Sequence, residues 1–191
     1  MRRKTFDMLV SSVGLLLTVV LIVAGALLMW GYTFTNDQVN QQLSAQQIHF
    51  PPASSPAVTQ LPASDATAMK QYSGQLMTNG AQAETYANHF IAVHLSEVAG
   101  GQTYAQVSSK LQPPAVKALS PRQIAVLTAQ ETTLFQGTTL RGMLLNAYAF
   151  WQIGQIALIA AIVSFIAAAI MLVLSVLGFW HVRRTPSEAA I

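Results

Sequence analysis

Residues 142–180 read GMLLNAYAFWQIGQIALIAAIVSFIAAAIMLVLSVLGFW, and residues 8–36 read MLVSSVGLLLTVVLIVAGALLMWGYTFTN; neither stretch holds a charged side chain. A hydrocarbon core about 30 Å thick takes about twenty apolar residues per helix, and each stretch can supply one. They predict an all-α integral membrane protein: a helical hairpin of two transmembrane helices with a helical extracytoplasmic domain between them. No period-two alternation and no internal repeat argues for strands.

The first span is expected over 9–30, with Phe6 at its inner edge and Trp30, Tyr32 and Phe34 as outer interfacial anchors. The second apolar stretch is about twice as long as a bilayer requires. Tyr148, Phe150 and Trp151 stand at one end, and Phe179, Trp180 and His181 at the other. These belts are about 43 Å apart along a helix, close to a full bilayer with headgroups. The span is therefore expected over 151–180, and residues 140–150, carrying Arg141, are expected as a membrane-proximal stalk. A cleaved signal peptide is the competing reading of the N-terminus, because Arg2-Arg3-Lys4 precedes the apolar run and Ala24-Gly25-Ala26 resembles a cleavage site. The run continues through Leu27, Leu28, Met29 and Trp30, which favours a retained anchor.

Hydrophobic residues make up 52% of the 191, and charged residues 9%. An ordinary soluble domain carries about 25% charged residues. The formal net charge is +3, but the basic residues gather at the ends, as Arg2, Arg3, Lys4, Arg183 and Arg184. Between the spans, Lys70, Lys110, Lys117, Arg122 and Arg141 balance Asp37, Asp65, Glu84, Glu97 and Glu131. No basic patch is available for nucleic acid. Lys and Arg resist translocation, so the tails 1–8 and 181–191 are expected in the cytoplasm and residues 31–150 outside the plasma membrane. The chain has no cysteine, hence no disulfide to hold the exported part.

Within 31–150, the first helix continues outward, with helix-start chemistry at Thr35-Asn36-Asp37 and an apolar pair at Val39 and Leu43. Prolines 51, 52, 56 and 62, set among Ala, Ser and Thr, predict a flexible tether over 51–64. Residues 81–99 carry a helical pattern that puts Ala83, Ala87, Phe90, Ile91, His94 and Val98 on one face, closed by Gly100-Gly101. A short helix follows, with Tyr104, Val107 and Leu111 on one side. Ser120-Pro121-Arg122-Gln123 reads as an N-cap, a proline at the first helical position and a capping-box glutamine. Ile124, Leu127 and Leu134 are the expected buried side of that helix, and Gly137 its boundary with the last one.

The second span is divided by residue size. On a helical wheel Ala157, Ala160, Ala161, Ser164, Ala167, Ala168, Ser175 and Gly178 share one side, while Ile159, Ile162, Ile166, Ile170, Val173 and Leu177 share the other. Small faces permit close helix contact, and Ser11, Gly14, Thr18 and Gly25 give the first span a counterpart. The expected use is packing of the two spans against each other; self-association or capture of another membrane protein's helix is the alternative.

The motifs for chemistry are sparse. His94 and Glu97 lie at i, i+3, a spacing that can present two metal ligands on one helical face, yet no second such pair accompanies them. The expectation is a histidine satisfied by packing and one hydrogen bond, with no resident metal or cofactor. No Cys and no GxSxG supports a nucleophile, and Gly100-Gly101-Gln102-Thr103 lacks the lysine of a phosphate loop. Ionisable groups are missing at membrane depth, which disfavours pumps and proton-coupled transport.

Three segments carry a family resemblance: Ser44-Ala45-Gln46-Gln47-Ile48-His49-Phe50-Pro51-Pro52, Tyr86 to Leu95 running into Gly100-Gly101-Gln102-Thr103-Tyr104, and Thr139 to Trp151. The chain resembles, over nearly its whole length, a family of small two-span membrane proteins of actinobacteria with no established function. The resemblance implies topology and a cell-envelope location and assigns no site residue. Some members are labelled ring-opening dioxygenase subunits; this chain lacks a set of iron ligands and has too small a soluble part for that fold.

The expected function is that of a non-enzymatic envelope protein whose partners are the bilayer and, through its small faces, a second copy or another membrane protein. The alternatives are a metal-dependent enzyme centred on His94 and Glu97, and a subunit of an oligomeric channel.

Overall fold

The computed structural model describes residues 3–184; residues 1–2 and 185–191 of the two expected tails lie outside the described residues. Among these the protein is helical and has no strand, with one isolated antiparallel bridge between His49 and Leu76. Helix α1 runs Arg3–Ala45, α2 Pro56–Thr59, α3 Ala63–Lys70 and α4 Gly80–Tyr86. A π turn, Ala87–Ile91, leads into α5, Ala92–Glu97, and a 3-10 turn, Val98–Gly101, precedes α6, Tyr104–Lys110. A further 3-10 turn at Ala115–Ala118 comes before α7, Pro121–Arg184. Two of these helices, α1 and α7, are long and apolar enough to cross a membrane.

The chain divides into two compact units, Met1–Thr35 with Ile153–Ile191, and Asn36–Gln152. The first unit consists of the apolar parts of α1 and α7. Several of their hydroxyls are satisfied inside the helices: Ser12 donates to the Met8 carbonyl, Thr18 to Gly14 and Ser175 to Met171. Such bonding spares these hydroxyls the need for water. Thr35 behaves likewise, donating to the carbonyls of Gly31 and Tyr32, so its hydroxyl caps nothing and α1 passes through the expected start at 35–37 without a break.

The second unit is built around Phe50, Met69 and Met77, all fully buried. The Phe50 ring meets Tyr86 edge-on at 5.3 Å and Tyr72 at 5.2 Å. Val39 and Leu43 enter this core from α1, Ala83, Ala87 and Ile91 from α4 and the π turn, and Leu144 from α7. Two helix starts have complete capping boxes. Thr103 and Gln106 open α6, and Ser120 and Gln123 open α7, where the Gln123 amide donates to Ser120 Oγ and the Ser120 amide to Gln123 Oε1.

Several expectations are corrected. Residues 51–64 do not form a flexible tether: α2 and the start of α3 fold there, and Val58 and Leu61 are buried in the core. Pro56 and Pro62 serve at the helix starts, where a missing N–H costs nothing. Gly137 does not end a helix, since α7 continues through it with the Leu95 side chain lying where a Cβ would stand. The stretch 140–150 is not a bare stalk, because Leu144, Leu145 and Ala147 pack on the core of the second unit.

Candidate functional site

In the first unit the small residues of the two helices meet. Gly14 faces Met171 and Ser175, Gly25 lies against the Phe165 ring, Gly178 against Ser11, and Gly154 against Thr35. Ala161, Ala168, Thr18 and Ser175 are buried, and Ala157, Ala160, Ser164 and Ala167 are partly so. The large residues point the other way; Leu16 and Ile159 are each 63% exposed. At the far end of this contact Asp7 Oδ2 lies 4.0 Å from His181 Nε2.

In the second unit the polar interior gathers at two places. Gln82 is buried at the N-terminus of α4, where Asn79 caps its amide; its Oε1 accepts from the Thr78 amide at 2.7 Å and its Nε2 donates to Gln75 at 3.1 Å. The second place is the π turn. A π turn carries one residue more per turn than the surrounding α-helix, so two adjacent polar residues can leave it in different directions. Asn88 accepts from Arg141 Nη2 at 2.8 Å and donates to Glu84 at 2.8 Å. His89 Nδ1 lies 2.7 Å from Asp65 Oδ1, tying the turn to α3. Next to it, burial among aromatic rings pushes the Tyr86 phenol above its ordinary pKa.

The same turn changes the place of His94. A regular helix would put it on the face of Ala83, Ala87 and Ile91; it is instead exposed, its Nδ1 donating to the Phe90 carbonyl at 2.7 Å and its ring 4.4 Å from that of Phe90. The expected single hydrogen bond is thus made to a neighbouring carbonyl of its own helix, and His94 does not lie in the core. Glu97 is also exposed. Among the described residues no group of three or more His, Cys, Asp or Glu side chains is gathered as a metal would require. Asn88, His89 and Asp65 were not singled out by spacing, because the signal that joins them is the π turn, which leaves no simple periodic mark. Compared with protein-family models, with curated proteins and with solved structures, the chain matches none.

Proposed function

We propose that this is a non-enzymatic membrane protein of the cell envelope. Residues 9–30 and 151–180 cross the bilayer, both ends lie in the cytoplasm, and residues 31–150 act outside as an interaction module. The observation that carries the reading is the sorting of the helix pair by size, glycines and other small residues at the contact and most large residues outward. In water each exposed Leu, Ile or Val would forgo roughly 1.5–3 kcal/mol of burial; in hydrocarbon it forgoes nothing. The same sorting supports packing of the two spans within one chain as the use of their small faces. It also supports a retained first span, since cleavage after Ala26 would remove Ser11, Gly14 and Gly25 from their contacts. The polar bonds of the second unit support a rigid scaffold: Arg141 to Asn88 and His89 to Asp65 join separate elements, and neither sets a nucleophile beside a base.

The absence of native cysteine makes the test clean. Single variants Ser73→Cys and Ser109→Cys are expected to react with an impermeant maleimide on intact cells, and Thr5→Cys only after permeabilisation. Release of the chain by alkaline carbonate would remove the membrane reading. Stoichiometric zinc in the purified protein, lost in His94→Ala, would replace the non-enzymatic reading with a metal site.

A further inference from the structure

Resting on the membrane reading, we infer that the end of the helix pair that carries Arg3, Lys4, Arg183 and Arg184 is a binding site for the headgroups of anionic phospholipids. The Ser11–Gly178 contact and the Asp7–His181 approach put the start of α1 beside the end of α7, so four cations share one end of the pair. Among the described residues the carboxylate at this end is Asp7, and none of the four cations is paired with it. Burial of Val182 keeps the last turn of α7 packed, while Arg183 and Arg184 are exposed.

One of the four is held in place. The Arg184 guanidinium lies over the Trp180 ring, 4.3 Å from its centroid. Such stacking fixes the plane of the guanidinium and leaves its N–H edges free for phosphate oxygens, which they can grip two at a time. Trp180 is itself 54% exposed, where an indole settles at the level of lipid headgroups. Phosphate is the shared chemistry of a lipid headgroup and a free anion. The position beside the outward apolar faces of both helices selects the lipid, whose acyl chains those faces would cover.

The test uses the full chain, reconstituted in vesicles of phosphatidylcholine with phosphatidylglycerol, extracted in mild detergent and weighed intact with the lipid it retains. Phosphatidylglycerol is expected to be retained in preference to phosphatidylcholine, and the preference to fall about fivefold for each cation removed, in Arg184→Gln and again in Arg183→Gln with Arg184→Gln. Trp180→Leu is expected to weaken it by less, and Lys110→Gln, in the other unit, to leave it unchanged. Equal retention of the two lipids, no effect of the Arg variants, or full displacement by inorganic phosphate would overturn the inference. Resistance to alkaline extraction, measured on the same samples, reports the membrane reading separately, so a loss of lipid preference with extraction unchanged counts against this site alone.

Discussion

Arg141 donates from Nη2 to Asn88 Oδ1 at 2.8 Å, linking the long last helix to the π turn across 53 positions of sequence. Asn88 passes the contact on to Glu84, so a cation and a carboxylate are joined through an amide rather than directly. Removing either partner strands a partly buried polar group. Arg141→Ala and Asn88→Ala are each expected to lower stability by about 1–3 kcal/mol, with a coupling of about 0.5–3 kcal/mol in the double-mutant cycle. Chemical unfolding of the detergent-solubilised chain measures this, and strictly additive losses would mean the bond carries no weight.

The facing of Gly14 and Ser175 can be checked covalently. A Cβ on Gly14 would lie 3.6 Å from that of Ser175, within the usual span of a disulfide. Gly14→Cys with Ser175→Cys is expected to oxidise within one chain, giving a monomer of altered mobility on non-reducing gels. Leu16→Cys with Ile159→Cys, both on outward faces, is expected to stay reduced or to link separate chains.

Three helical glycines should respond in order of the room around them. A Cβ on Gly80 would meet the Trp151 Cβ and ring, which cannot step aside, so Gly80→Ala is expected to cost about 1–3 kcal/mol. At Gly137 the obstacle is the end of the flexible Leu95 side chain, and a smaller loss is expected. Gly142 has nothing within 4 Å, and Gly142→Ala is expected to stabilise α7 by about 0.5–1 kcal/mol. Thermal unfolding ranks the three, and Gly80→Ala at the stable end would contradict the Trp151 contact.

The half-buried Tyr86 phenol gives stability a limit on the alkaline side. Its folded pKa lies above the ordinary value of about 10, so the unfolded chain ionises first and the folded state keeps the proton longer. Stability is undiminished below about pH 10 and falls as pH rises through the folded value. In Tyr86→Phe this part of the decline is expected to vanish; an unchanged pH profile would assign the decline to other groups.

The residues themselves announced the two long apolar helices, the capping box at Ser120 and the buried pair Val39 and Leu43. All of these are local or strictly periodic signals. The error over 51–64 arose because proline marks both linkers and helix starts, and only the burial of Val58 and Leu61 tells them apart. Gly137 misled for a related reason: glycine ends helices, but it also admits a neighbour, here Leu95. The Arg141, Asn88 and Glu84 chain could not be read in advance, because nothing in the sequence marks residue 87 as the point where the helical repeat lengthens.

That lengthened repeat makes the segment between Tyr86 and Ala92 tolerant of a change in chain length. A π turn absorbs one residue while leaving the phase of the helix beyond it intact. A chain shortened by one residue there can close into ordinary α-helix with Leu95 still directed at Gly137, and it gives up one tether, either Asn88 to Arg141 or His89 to Asp65. The extra residue is thus a spacer that adds an anchor without moving anything downstream.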